Sequence, residues 1–427
     1  MAVVSPFRGW RYNPETVGDM ASVLCPPYDM IDEATQEALK RQNEYNVIHL
    51  EAGEGLDWTT SAKEQYKSTS GLFDRWRQDG VLRQDAEPSY YVMRHSFPMG
   101  GKNMVRVGLI ASVGLEDYST RQVLPHEFTQ APAIQDRVWL MESLSANISP
   151  IMSIYRDAEG ELDRLYQQVM QGTPEFDSTD DSGSATALWR VSDSGVQSQI
   201  SEFFSIRPIY LADGHHRYEA ARQYQLDRHA EDPRAKAANL AHNFVMMNLI
   251  SFDDPGLVVL GYHRTLNGVP ADKLANIKAK LDELFDVEAI SGSSDSLIEQ
   301  VDRLGAKRRV LASVDNGGAK MLTLKDSAVK PDWGSLAVSE AWVLEEQVLR
   351  PELGDATLDH LDFMHDHEAA VDQAKRGDLQ LVFLLKPFPL NAFERIVGGG
   401  QRLPRKSTFF YPKLPTGLVI NRLAGEL

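Results

Sequence analysis

The chain contains 427 residues, of which 42% are hydrophobic and 25% are charged. These values are typical of a soluble globular protein, and the length allows two or three domains with substantial cores. The formal net charge of −17 at pH 7 opposes nonspecific binding to nucleic acids or membrane surfaces, which depends on a basic face. It does not oppose binding of a small anion in a locally basic pocket.

The sequence lacks the features that target a chain to or across a membrane. No apolar run approaches the length of a membrane span. The first residues lack the basic head and the apolar core of a signal peptide. Cys25 is the only cysteine, so an intrachain disulfide and a cysteine-based zinc site are excluded. We therefore expect a cytoplasmic protein with neither a membrane nor a nucleic acid as partner.

Hydrophobic periodicity predicts strands and helices in alternation through the first part of the chain. This alternation predicts an α/β domain over residues 1–265. The predicted helices are residues 32–42, 61–79, 134–144, 159–170 and 196–204 and a helix from residue 215, and the predicted strands are residues 46–51, 89–97, 105–115, 151–155, 186–191, 208–212, 243–251 and 257–260.

The pattern changes at about residue 271, where shorter strands and helices follow one another. It predicts a smaller α+β domain over residues 266–427, so the fold class is mixed α/β and α+β. The predicted helices are residues 271–285, 297–304, 335–349 and 366–376, and the predicted strands are residues 287–290, 310–314, 320–324, 379–385 and 418–421.

The turn after the strand at residues 208–212 has the most distinctive pattern. Asp213 is a good helix N-cap, and Gly214 allows a ligand to approach the backbone. The first helical turn then carries His215, His216 and Arg217. Free backbone N–H groups, the helix dipole and a guanidinium all favour an anion here, so we predict a phosphate site. The alternative is a purely structural strand-to-helix turn.

Other polar segments interrupt apolar elements and are candidate parts of the same site. Two prolines hold Tyr28 and Asp29 on a stiff loop, which lines a site or forms a packing corner. His126 and Glu127 follow a buried-looking pair and a proline. The tail at residues 402–413 is basic, and we expect it to return to the site or to form a solvated loop. Its candidate residues are Arg402, Arg405, Lys406, Ser407, Thr408 and Lys413.

Six motifs together resemble a prokaryotic family, the domain of unknown function ten-fifteen, over essentially the whole chain. They are Pro-Phe-Arg-Gly, Pro-Pro-Tyr-Asp, Pro-His-Glu-x-Thr, Ala-Asn-Ile-Ser-Pro, Ala-Asp-Gly-His-His-Arg-Tyr-Glu-Ala-Ala and Lys-Ser-Thr-Phe-Phe-Tyr-Pro-Lys. The family name itself states no activity.

A more local resemblance covers about twenty residues around the turn. Residues 213–217, with Ala220 and Ala221, are similar to the phosphate-binding motif of the ParB and sulfiredoxin superfamily. That superfamily includes nucleotide-dependent free-serine kinases, in which an Asp-Gly-His-Thr-Arg stretch lines the nucleotide and the substrate. His216 stands here where that motif has Thr. The resemblance implies a ParB/sulfiredoxin-like nucleotide-binding core with insertions, and ATP or ADP as cofactor.

The leading hypothesis is a phosphotransferase that acts on a small hydroxylated metabolite, free serine or a similar compound. Phosphoryl transfer needs charge neutralisation and a group that orients the nucleophile. Arg217 and the helix N-terminus would neutralise charge, Asp213 would hold Mg²⁺, and Glu127 or His126 would act as base. The candidate catalytic residues are His126, Glu127, Asp213 and His216; the cofactor-binding residues are Gly214, His215, Arg217, Lys406, Ser407, Thr408 and Lys413; the substrate-binding residues are Tyr28, Asp29, His263 and Arg264.

Two alternatives remain open. One is a metal-dependent hydrolase or phosphatase, because the sequence offers a pool of nitrogen and oxygen ligands. The adjacent pair His215 and His216 cannot easily share a metal, whereas His216 and Glu219 lie on one helix face. The other is a nucleotide sensor without catalysis. The remaining members of the ligand pool are His126, Glu127, Asp213, His263, His365 and His367.

Overall fold

The computed structural model describes residues 2–53 and 62–427. The chain forms two compact units. The first unit comprises Met1–Pro125, Thr129–Leu257 and Pro412–Leu427, and the second comprises His126–Phe128 and Val258–Tyr411. The boundary at residue 265 stays a prediction about domains. The first residue of the helix predicted at 61–79 lies outside the described residues.

A large mixed sheet forms the centre of the first unit. Its strand order is β6-β11-β8-β12-β5-β4-β10-β9, and β1 pairs with β5. Strand β11 runs parallel to β6 and antiparallel to β8, whereas β12 runs parallel to β8. The strands of this unit are β1 (Val4–Ser5), β2 (Trp10–Tyr12), β3 (Leu82–Gln84), β4 (Tyr90–Met99), β5 (Lys102–Gly114), β6 (Val123–Leu124), β7 (Ala146–Asn147), β8 (Ile151–Tyr155), β9 (Phe176–Thr179), β10 (Ala185–Val191), β11 (Ile209–Asp213), β12 (Phe244–Ser251) and a last strand at Asn421–Arg422.

Helices of the first unit pack against this sheet, and the helix after β11 is the longest of them. Its residues Tyr218, Ala220 and Ala221 are fully buried in the core that forms on the sheet. The helices are α1 (Pro14–Val17), α2 (Glu33–Gln42), α3 (Ile48–Glu51), α4 (Ala62–Gln65), α5 (Lys67–Gln78), α6 (Ala131–Leu144), α7 (Glu161–Val169), α8 (Ser194–Phe204) and α9 (His215–Glu231).

The second unit has a smaller antiparallel sheet, with strand order β15-β17-β16-β19-β14-β18, and a separate pair formed by β13 and β20. A mixed α/β fold was predicted, and the structure confirms it. The strands are β13 (Val258–Leu260), β14 (His263–Leu266), β15 (Phe285–Ile290), β16 (Val310–Asp315), β17 (Gly318–Leu324), β18 (Leu361–Met364), β19 (Leu381–Leu384) and β20 (Phe409–Tyr411), and the α-helices are α10 (Ala271–Leu284), α11 (Ser294–Gly305), α12 (Glu340–Trp342), α13 (Arg350–Leu353), α14 (Thr357–His360), α15 (His367–Arg376) and α16 (Leu390–Gly398).

Two predicted elements were wrong in type. Residues 46–51 were predicted as a strand, but Ile48–Glu51 is a helix because the Asn46 side chain accepts a hydrogen bond from the Ile48 N–H at 2.9 Å. Residues 335–349 were predicted as one helix. Instead, a 3₁₀ segment (Pro331–Val338) precedes α12, and a π-helix (Val343–Leu349) follows it.

No helix among the described residues is long and apolar enough to cross a membrane.

Candidate anion-binding site

The predicted strand, turn and helix at residues 208–226 are present as β11 and α9. The helix N-cap is Gly214, with φ of 88°, and Asp213 is the last residue of the strand. Asp213 was predicted to be the N-cap, and this was wrong, because its side chain binds two cations instead of a helical N–H. A Cβ atom at residue 214 would lie 2.8–3.0 Å from the Arg217 guanidinium. Both the positive φ and the closeness of the Arg217 guanidinium therefore favour glycine at this position.

Two cations converge on the Asp213 carboxylate. Arg217 Nη2 lies 2.9 Å from Oδ2, and Lys413 Nζ contacts Oδ1. The side chains of all three are 10–17% exposed, so the charges interact with little solvent screening. This trio of Asp213, Arg217 and Lys413 carries one positive charge in excess beside the positive end of a 17-residue helix. Such a place attracts an anion.

Protein groups fix the position of the Arg217 guanidinium. Its Nη1 donates to Ser149 Oγ at 2.6 Å and to the Pro150 carbonyl at 2.7 Å. Ser149 and Pro150 belong to the Ala-Asn-Ile-Ser-Pro motif, to which no separate role was assigned from sequence. The guanidinium is therefore held in one orientation before any ligand binds.

Lys413 reaches the turn because the segment before it is fixed in the first unit. Arg106 Nη2 donates to the Pro412 carbonyl at 2.9 Å. Arg106 lies on the central strand β5 and is 2% exposed, and burial lowers the pKa of its guanidinium to about 10. Lys413 thus contacts Asp213 at the turn, and a return of the rest of the tail at residues 402–413 stays a prediction.

The two histidines of the turn differ in environment. His216 Nε2 accepts a hydrogen bond from the Gln130 N–H at 3.1 Å, so the ring is neutral with its proton on Nδ1 in this arrangement. His215 is 6% exposed and packs inside the first unit.

A buried polar network that sequence reasoning missed belongs to the same unit. Arg137 on α6 pairs with Glu51 at 2.5 Å and with Asp136 at 2.5 Å, and its Nη2 donates to Tyr66 Oη at 2.8 Å. The guanidinium also lies 4.1 Å from the centre of the Tyr28 ring. Because Glu51 and Tyr66 are far from Arg137 in sequence, no local pattern joins them to it.

Tyr28 connects this network with the turn. Burial raises the pKa of its phenol, and the charges of Arg137, Asp29, Arg217 and Asp213 act on it as well. Tyr28 was predicted to contact substrate, and it lies among the charged groups of the first unit. Asp29 follows it in a short 3₁₀ turn and is exposed.

In the second unit, the segment at residues 126–128 meets the tail loop. His126 Nε2 lies 2.9 Å from Thr408 Oγ1 and 3.2 Å from Glu127 Oε1. The Leu403 N–H donates to the His126 carbonyl at 2.8 Å. His126 is fully buried, with its ring 4.9 Å from that of Phe393. Sequence reasoning grouped these segments, and they are neighbours within this unit.

Arg264 and His263 were predicted to bind substrate, but the structure uses both internally. All five N–H donors of Arg264 bind protein oxygens. The acceptors are Glu345 Oε1 and the carbonyls of Tyr262, Arg405 and Lys406. His263 Nδ1 accepts from the Leu385 N–H at 3.2 Å. A substrate contact to Arg264 would break one of these bonds, and the substrate roles of Arg264 and His263 stay predictions.

The tail residues Lys406 and Ser407 also make contacts within the second unit. Lys406 has a φ of 55°, and its Nζ lies 5.2 Å from the centre of the Tyr262 ring. Ser407 Oγ donates to the Pro404 carbonyl at 2.6 Å. Within residues 2–53 and 62–427, no group of three or more His, Cys, Asp or Glu side chains could hold a metal ion.

Residues 4–339 match the family described as "Protein of unknown function (DUF1015)". The chain belongs to this family. The DUF1015 match includes residues 213–217 and 126–129 and ends before the tail at 402–413. No curated protein matches the chain.

Three solved structures resemble this DUF1015 member. A free serine kinase mutant in complex with AMP is 11% identical, with a TM-score of 0.38, and the match covers 73% of this chain and 92% of that one. A conserved hypothetical protein from Pyrococcus furiosus is 13% identical, with a TM-score of 0.35 and coverage of 73% and 95%. SbnI with a C-terminal truncation, from Staphylococcus aureus, is 9% identical, with a TM-score of 0.38 and coverage of 73% and 87%. TM-scores below 0.5 do not establish a shared fold.

Proposed function

We propose that this protein is a nucleotide-dependent phosphotransferase that acts on a small hydroxylated metabolite, such as free serine, with ATP or ADP as cofactor. The observation that carries the proposal is the trio of Asp213, Arg217 and Lys413 at the start of α9. The Asp213 carboxylate holds two cations there. A phosphate group that replaced this carboxylate, or bound beside it, would contact both cations and the helix N–H groups. We also propose a ParB/sulfiredoxin-like nucleotide-binding core for the first unit.

Several of the predicted residues have a definite role in this proposal. Arg217, Lys413 and the backbone at Gly214 bind phosphate, because transfer of a phosphoryl group depends on positioning and charge neutralisation. Glu127 or His126 is the base predicted from the sequence, and this assignment stays a prediction. Glu127 is 17% exposed, whereas His126 is fully buried, which favours Glu127.

Asp213 is the proposed ligand of Mg²⁺. A single carboxylate fits this ion, because Mg²⁺ in nucleotide enzymes is bound by one or two carboxylates together with phosphates and water. The ion would offset phosphate charge. Asp213 is the only acidic member of the trio.

The test is a transfer assay with ATP or ADP and a panel of small hydroxy compounds, combined with nucleotide-induced thermal stabilisation. We expect turnover in the natural chain, and Arg217→Met and Lys413→Met should each lower it by about 100-fold or more. Arg228→Met is the matched control, since it removes a cation from the same helix that pairs only with Glu231 near the other end. That variant should stay within about two-fold of the natural chain.

The other outcomes of these assays distinguish the proposal from its alternatives. If the protein shows no turnover and no nucleotide-induced stabilisation, the proposal is refuted. Tight nucleotide binding without transfer would favour a sensor. Stoichiometric zinc or manganese in the purified protein would favour a metal-dependent hydrolase.

A further inference from the structure

A small cavity in the first unit is lined by both polar and apolar residues. Its volume is about 40 Å³. Arg217 of the anion trio lines it together with Glu51, Arg137 and Ser149. The apolar part is formed mainly by residues from α6 and the segment after it. A space of this size holds a single small group, because one water molecule in the liquid takes about 30 Å³.

Two polar atoms on residues that line this cavity have no hydrogen-bond partner among the described residues. They are Glu51 Oε2, an acceptor, and Arg217 Nε, a donor. Glu51 is 2% exposed, and its other oxygen pairs with Arg137. The remaining nitrogens of Arg217 donate to Ser149, Pro150 and Asp213. Buried polar atoms nearly always have partners, so each of these two atoms indicates a missing partner, and one group in the cavity that both residues line would satisfy both.

The chemical nature of the missing group follows from the two atoms that it has to bind. It has to donate a hydrogen bond to a carboxylate and accept one from a guanidinium. A hydroxyl group does both. An ammonium group cannot accept from Arg217, and a carboxylate cannot donate to Glu51.

We propose that this cavity is the subsite that receives a hydroxyl group of the substrate, with Glu51 as acceptor and Arg217 Nε as donor. The inference rests on the proposed function and deepens it, because it names the group that is recognised next to the phosphate-binding guanidinium. In the ligand-free protein, a water molecule occupies the same place and leaves when the substrate binds.

The network around Glu51 keeps its carboxylate in position for this role. Arg137 holds Oε1, and Asp136 and Tyr66 hold Arg137. Burial raises the pKa of Glu51, while the charges of Arg137 and Arg217 act in the opposite direction and favour the ionised acceptor. The carboxylate cannot rotate away from the cavity without breaking a buried ion pair.

The first experiment is a crystal structure of the full chain at a resolution that shows water. We expect an ordered oxygen within hydrogen-bond distance of both Glu51 Oε2 and Arg217 Nε. An empty cavity, or a protein group bound to Glu51 Oε2, would overturn the proposal. This part does not depend on turnover, so it is decided even if the proposed function fails.

The second experiment adds the panel compound that gives turnover. The compound's hydroxyl oxygen should replace the water in the crystal, and Glu51→Gln should raise its KM by about ten-fold or more, because the amide N–H₂ cannot accept. The control is Glu340→Gln, which neutralises a similarly buried carboxylate paired with Lys386 in the second unit. A water that remains beside the bound compound, or equal KM changes in both variants, would contradict a substrate subsite.

Discussion

Gly214 offers a direct test of how the turn positions Arg217. Its φ of 88° lies in the left-handed region, where an alanine costs about 1–2 kcal/mol. An added Cβ would also lie 2.8 Å from Nη2 and 2.9 Å from Nε of Arg217. These contacts are too short, so the guanidinium has to move. We therefore expect Gly214→Ala to impair both stability and anion binding.

The size of the effect can be worked out from the contacts. Arg217 makes three hydrogen bonds of 2.6–2.9 Å, to Ser149, Pro150 and Asp213. Loss of one hydrogen bond to a charged group costs about 1.5–3 kcal/mol. Together with the backbone term, the free energy of unfolding should fall by about 3–5 kcal/mol.

Gly183 provides the matched control. It lies in the same unit with a φ of 80°, and its Cβ would meet nothing within 4 Å. Gly183→Ala should therefore cost only the backbone term of about 1–2 kcal/mol. Urea unfolding of both variants, followed by circular dichroism, gives the difference, and phosphate-induced thermal stabilisation gives the effect on the site. Equal losses of stability in the two variants would refute the reasoning.

Three further predictions concern other buried groups. Burial lowers the pKa of His95 to about 4, so the folded state favours the neutral ring. The contribution of His95 to the free energy of unfolding is therefore complete above pH ~6.5 and falls by about 2 kcal/mol at pH 5. His95→Gln should remove this pH dependence in urea unfolding. Arg264→Met leaves Glu345 buried without its cation and should lower the free energy of unfolding by about 3–5 kcal/mol. The double variant with Glu345→Leu should recover much of this loss. Additive losses of stability in urea unfolding would contradict this. Thr408→Val removes a partner of His126 and should lower stability in the same assay by about 1–3 kcal/mol, whereas an unchanged midpoint would show that the bond contributes nothing.

The local part of the site could be predicted from sequence. Strand, glycine turn and helix follow from propensity and periodicity, which act over a few residues, and the structure has them at β11 and α9. The basic character of the tail also drew attention to Lys413. What it binds could not be predicted, because Asp213 lies 200 residues away in sequence.

The long-range part of the site was beyond the reach of pattern reasoning. Glu51 and Arg137 are 86 residues apart, and their ion pair exists only because the fold brings α3 and α6 together. The strand predicted at residues 46–51 shows the same limit on a smaller scale. A β-like run of apolar residues became a helix where the Asn46 side chain accepts from the Ile48 N–H and donates to the carbonyls of Ser22 and Leu24.

The contact between Lys413 and Asp213 has a consequence for how the protein is made. The ribosome adds Lys413 200 residues after Asp213, because the two residues are that far apart in sequence. Domains generally fold as units during synthesis. Here the first unit includes Pro412–Leu427, so its charge trio is completed only when translation has passed the second unit. A nascent chain, or a product truncated before residue 413, carries the turn without its lysine.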